Sequence, residues 1–126
     1  MRKLKNKYFA KWQKKTDLTD VDLHVSIENL KNSKSAPGIG KFLHKVRVAR
    51  EGEGKSGGYR TIIVYKKNEI ALFVYGFGKG EKDNLDEKEL KYWKTLAKDI
   101  CGLKENDIRR AIAKGKFLEL EEIENA

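Results

Sequence analysis

Lys45 and Arg47 stand two residues apart in an alternating stretch, Phe42 to Arg50, which reads as a β-strand with Val46 and Val48 on one face. That spacing projects both cations from the other face. Arg60 opens the next apolar run, after a glycine-rich connection that carries Lys55, and Lys79 and Lys82 follow the last such run. In an antiparallel sheet these segments can converge at one end. A cluster of Lys and Arg without metal ligands suits binding of a phosphodiester and stabilisation of a pentavalent transition state, because a guanidinium stays charged and forks onto phosphate oxygens. The plainer reading is a scatter of surface charges, which composition alone does not separate from a site.

Other chemistries find less support. Ala49-Arg50-Glu51-Gly52-Glu53-Gly54-Lys55-Ser56 nearly matches a phosphate-cradling loop, but such a loop needs a helix directly after Lys-Ser, and here Gly57, Gly58 and a strand follow. Gly52, Gly54 and Gly57 spell G-x-G-x-x-G without the strand-turn-helix of a dinucleotide site. These glycines read better as a flexible basic hairpin loop. His24 and His44 are twenty apart, with no second ligand at helical spacing, and His24 is expected at the surface or half-buried. Cys101 is the only cysteine, which excludes an intramolecular disulfide. It sits at the end of a core helix with no histidine near it in sequence, so packing is its expected role. Neither a metal site nor a cofactor is expected. Trp12 and Trp93 fall on apolar helical stripes and read as core first, base-stacking platforms second.

The elements that must position the cations follow from periodicity. Phe9 and Trp12, three apart in a stretch with seven basic and no acidic residues from Met1 to Lys15, predict a basic amphipathic helix at the start. A second helix is expected from Thr19 to about Asn32, with a Thr19/Asp22 capping box and Val21, Leu23, Ile27 and Leu30 as its apolar side. Asn32 to Gly40 reads as a loop. Tyr59 to Tyr65 and Ile70 to Phe77 are strands, joined through Lys66-Lys67-Asn68-Glu69 as a hairpin. A third helix begins at Asp86, carries Leu90, Trp93, Leu96 and Ile100, and stops at Gly102. A fourth spans about Asn106 to Lys114, and Phe117, Leu118 and Leu120 dock as an extended tail. Two helices, three strands and two helices make an α+β domain with a small antiparallel sheet.

With 126 residues the chain suits a single domain over 1–126, in which 103–126 supplies a C-terminal helix and an acidic tail packing on the rest. The longest apolar run, Ile70 to Phe77, is too short to cross a bilayer, and no apolar stretch follows the N-terminal charges as in a secretory signal. Membrane and secreted classes are not expected, which leaves the cytoplasm. Twenty-eight Lys and Arg against nineteen Asp and Glu give a charge of +9, which favours nucleic acid or an acidic protein as partner.

Three segments taken together resemble the RelE/HigB-type toxins of bacterial toxin–antitoxin modules. They are His44-Lys45-Val46-Arg47-Val48-Ala49-Arg50, Gly54-Lys55-Ser56-Gly57-Gly58-Tyr59-Arg60, and Val74-Tyr75-Gly76-Phe77-Gly78-Lys79 with Glu81, Asp83 and Asn84. The resemblance runs from Phe9 to about Phe117 in order and spacing, and its middle motif is the specific one. It implies a RelE-like sheet with N-terminal helices across one face and metal-independent cleavage of messenger RNA, in many members only on the ribosome. In that chemistry the RNA's 2′-hydroxyl attacks the adjacent phosphate, and the protein orients the backbone, takes the 2′ proton, neutralises the phosphorane and protonates the leaving oxygen. The implied catalytic set is Lys45, Arg47, Arg60 and Lys79. Arg47 and Arg60 stabilise the transition state, Lys45 is the candidate base, and Lys79 or Lys82 is an acid or phosphate clamp. The implied RNA-binding set is Lys55, Tyr59, Lys82 and Phe77. Asp86 stands about where several members carry an acting Tyr or His, and Gly80 where an arginine is common. The implied partners are messenger RNA, the ribosome and a cognate antitoxin of helix-turn-helix type. The alternative is a ParE-like toxin, which shares the fold without the nuclease and inhibits DNA gyrase by protein binding.

Overall fold

A computed structural model of the chain describes residues 1–32, 38–50, 54–78 and 86–122. The elements are β1 (Arg2–Asn6), α1 (Lys7–Gln13), α2 (Asp20–Asn32), β2 (Gly38–Gly40), β3 (Leu43–Arg50), β4 (Gly54–Lys66), β5 (Ile70–Gly78), α3 (Glu87–Cys101), α4 (Glu105–Ala113) and β6 (Phe117–Glu119). All the strands join one sheet in the order β2-β3-β4-β5-β1-β6. Each pairing is antiparallel except that of β1 with β5. The fold is α+β. Helices α3 and α4 cover one face, here the front, over Leu43, Ile62, Val64, Leu72, Val74 and Leu4. Helices α1 and α2 cover the back, over Ile63, Tyr65, Ala71 and Phe73.

The β4–β5 hairpin turn, α3 and α2 form where periodicity predicts them. But β4 begins at Gly54 rather than Tyr59, so Gly54, Gly57 and Gly58 lie in a strand paired with β3 instead of a loop. Gly38–Gly40 pairs with β3 as β2, at the end of the stretch expected as a loop. Asp86 caps α3 by accepting from the Glu89 N–H at 2.8 Å. In α2, Thr19 N–H donates to Asp22 Oδ2 at 2.9 Å and Asp22 N–H donates to Thr19 Oγ1 at 3.2 Å, a reciprocal capping box. Asn68, at φ 65°, takes the left-handed position of the hairpin turn, which Asn tolerates better than most residues. Val21 departs from its expected place on the apolar side of α2 and is exposed, while His24 is buried. The His24 Nε2–H donates to the Glu121 carbonyl at 2.6 Å, so the ring holds the segment after β6 against α2.

The N-terminal run departs most from expectation. Residues 2–6 are a strand, and the helix is confined to Lys7–Gln13. Leu4 is completely buried on the front. Its flanking cations meet acids: Lys5 lies 2.9 Å from Asp20, Lys3 lies 3.9 Å from Glu28, and Arg2 pairs with Glu105 and Glu119. Asn6 ends the strand and caps α1, accepting from Phe9 N–H at 2.7 Å and donating to the Val74 carbonyl at 3.2 Å.

Burial pushes the Asp20 carboxyl up, but the Glu121 N–H, Lys5 and Gln13 outweigh it and hold the group below its ordinary value. A depressed carboxylate stabilises the fold above its unfolded pKa, and that contribution is lost as pH falls through the folded one. Asp20→Asn is therefore expected to cost about 2 kcal/mol near neutrality. In urea unfolding at stepped pH, its deficit against wild type should hold down to about pH 5 and shrink below about pH 4. A deficit unchanged down to pH 2 would remove Asp20 from the acid response.

Candidate functional site

The register of three strands builds the site. Arg47 on β3 pairs directly with Arg60 on β4, and Arg60 pairs directly with Phe77 on β5. Directly opposed residues share a face, so the three side chains form a row across the front of the sheet. The next row toward α3 is Lys45, Ile62 and Tyr75. Ile62 belongs to the core under α3, whereas Arg47 is exposed and Arg60 half-buried. The row thus lies where the apolar core ends.

Two like charges directly opposed across strands repel, and neither guanidinium has an ion-pair partner among the described residues. An anion between them relieves that repulsion. Phe77 forms the floor: it is 2 % exposed, and the Lys45 ammonium lies 6.0 Å from its ring centre. Its ring has no open face for a base. A β-bulge completes this surface. Ile62 pairs with Tyr75 but Ile63 pairs with Phe73, which leaves Val74 as the extra residue. The bulge resets the alternation of β5, so Leu72 and Val74 face the front core and Tyr75 and Phe77 face the front as well. Tyr75, which stands in the third motif segment without an assigned role, packs between Phe77 at 5.8 Å and Trp93 of α3 at 5.6 Å.

Lys45, Arg47, Arg60 and Phe77 are therefore brought together. Tyr59 is not. It faces the back, where its hydroxyl donates to Asp17 at 3.0 Å and its ring meets Trp12 edge-on at 5.5 Å. Lys79 and Lys82 lie outside the described residues, and so does the side chain of Lys55. His44 pairs with Ile63 on the back, against Tyr65, so it is separated from the cation row by the sheet. Burial pushes its pKa down, which keeps the ring neutral near pH 7. Burial likewise pushes the Cys101 thiol up, as a packing role predicts and a thiolate nucleophile does not.

The front of β3, β4 and β5 thus carries a row of cations beside an aromatic floor. Residues 1–120 match the family model of the RelE toxin of the RelE/RelB toxin–antitoxin system. The chain belongs to the RelE toxin family. No curated protein matches it. As a RelE-type toxin it implies an antitoxin as partner, and the residues of the row fall within the matched span. Among its described residues no helix is long and apolar enough to cross a membrane.

Proposed function

We propose that this RelE-family toxin is a metal-independent endoribonuclease of messenger RNA, acting on translated messages on the ribosome in the cytoplasm. The observation that carries the reading is the direct opposition of Arg47 and Arg60 on one face beside Lys45, two guanidiniums without an ion-pair partner among the described residues. Their forks suit the non-bridging oxygens of one phosphate as negative charge grows on it. The RNA's own 2′-oxygen bonds to phosphorus, the bond to the 5′-oxygen breaks, and the products are a 2′,3′-cyclic phosphate and a 5′-hydroxyl. Lys45, on the strand and face of Arg47, takes the 2′ proton. Lys79 or Lys82 gives one to the leaving oxygen or clamps a neighbouring phosphate, with Lys55 contributing to RNA binding. The partner is an antitoxin of helix-turn-helix type, encoded beside the toxin, and the charge of +9 suits an acidic segment on it.

The test is a translating extract with a defined message, the ends mapped by primer extension. New ends are expected within the translated region, with few on the same RNA when translation is blocked. An intact message at doses that arrest growth, with gyrase supercoiling inhibited instead, would overturn the reading in favour of a protein-binding toxin.

A further inference from the structure

Arg60 stands between Tyr59 and Thr61, and Phe77 between Gly76 and Gly78, so these four neighbours face the back of the sheet. There Tyr59 pairs with Gly78 and Thr61 with Gly76. Two glycines on one short stretch leave the back of β5 bare directly behind the cation row. Glycine inside a strand weakens it and often marks the close approach of another group. Here that group is the indole of Trp12. A Cβ at residue 76 would lie 2.3 Å from Cζ3 of Trp12 and 2.6 Å from two further ring atoms, so only glycine admits the ring in this seat. The same indole meets Tyr59 at 5.5 Å and 89°, and Phe9 at 5.4 Å. Phe9 in turn rests on Phe73 at 5.3 Å. Tyr59 is tied to Asp17 at 3.0 Å, and the Thr61 hydroxyl donates to the Val46 carbonyl at 3.0 Å, which joins β4 to β3 from behind.

We propose that Trp12 is a positioning residue for Arg60, acting through the sheet by its seat on Gly76 and Tyr59. The proposal rests on the reading of Arg47 and Arg60 as the groups that hold the reacting phosphate. On the front at this row Arg47 is exposed and Arg60 half-buried, and behind them β4 is braced by the contact of Tyr59 with Trp12 and by the Thr61 hydroxyl on β3. A reacting group must be held to about half an ångström, and a displacement near 1 Å can cost about a hundredfold in rate. Trp12 is only half-buried, so trimming it removes a brace at the margin of the back core and leaves Leu23, Ile27 and Phe73 in place at its centre.

The experiment compares Trp12→Leu, Gly76→Ala, their combination and Ile27→Val, a stability control at a fully buried site of the same core. Each is assayed for cleavage of a message on programmed ribosomes at a temperature where it is folded, beside its melting curve. Expected is a loss of tenfold or more in kcat for Trp12→Leu and Gly76→Ala, with KM within about twofold. Ile27→Val should melt lower than wild type with its kcat unchanged. The combination should be no slower than either single variant, because both act through one contact. A Trp12→Leu protein with wild-type kcat, or one whose kcat loss Ile27→Val reproduces, would overturn the proposal. A second readout needs no activity: NMR relaxation of the Arg60 Nε–H should report greater mobility in Trp12→Leu and none in Ile27→Val. If wild type fails to cleave RNA, the catalytic reading falls and this relaxation result alone decides whether Trp12 holds Arg60.

Discussion

Replacement of Arg60 by alanine is expected to lower message cleavage by a factor on the order of a hundred or more, and to abolish growth arrest, while the protein stays folded. Arg60 is the centre of the row, opposed by Arg47 on one side and by the Phe77 floor on the other. Its loss removes one of the two forks that meet the growing negative charge, and a positioned donor of that kind is worth about 3 to 4 kcal/mol in the transition state. The fold does not depend on it. Arg60 has no ion pair among the described residues to lose, and its removal relieves the repulsion with Arg47. Single-turnover cleavage and thermal melting, measured on the same preparation, separate the two effects. Arg60→Lys keeps the charge without the planar fork and should recover only part of the rate. An Arg60→Ala protein that cleaves at the wild-type rate would remove the residue from the site.

The largest expected loss of stability comes from Leu4→Ala. Leu4 is completely buried in β1, which is hydrogen-bonded between β5 and β6, and it packs in the front core with Leu72, Ile100 and Ile108. Truncating a leucine in such a place costs roughly 3 to 5 kcal/mol, from lost transfer energy together with the cavity left behind. With a urea slope of about 1–3 kcal/mol/M, the midpoint should fall by more than about 1 M. The effect should extend to the C-terminal elements, because β6 pairs with β1 and Arg2 holds Glu105 of α4 and Glu119 of β6. A midpoint within about 0.3 M of wild type would mean that β1 contributes little to the sheet.

Leu4 also marks the limit of what local sequence carries. The strong periodicity of α3, the apolar runs of β4 and β5, and the Thr19/Asp22 box are each decided within a few residues, and each forms where expected. β1 is a single leucine among Arg2, Lys3, Lys5 and Asn6, and it reads as basic and solvated. What makes it a strand is distant: β5 and β6 on its two sides, and Asp20, Glu28 and Glu105 to meet its cations. The site divides in the same way. The Lys45–Arg47 spacing puts both on one face by the pleat alone. The same rule separates Tyr59 from Arg60, although one motif holds both, and here alternation is a better guide than adjacency. The bulge at Val74 is a property of the pairing between β4 and β5, so the arrival of Tyr75 beside Phe77 has no local signal. Gly76 had a signal, a glycine inside an apolar strand, but its reason lies on α1.

If the cation row promotes attack by the RNA's own 2′-hydroxyl, the end groups of the fragments record it. Purified protein, programmed ribosomes and a defined message are incubated with a chelator of divalent metals at a level that leaves the ribosomes intact, and the fragments are weighed by mass spectrometry. A 2′,3′-cyclic phosphate on the upstream fragment and a 5′-hydroxyl on the downstream one are predicted, with both fragments lost in Arg60→Ala. An uncut message, or ends bearing a 3′-hydroxyl and a 5′-phosphate, would contradict attack by the 2′-hydroxyl.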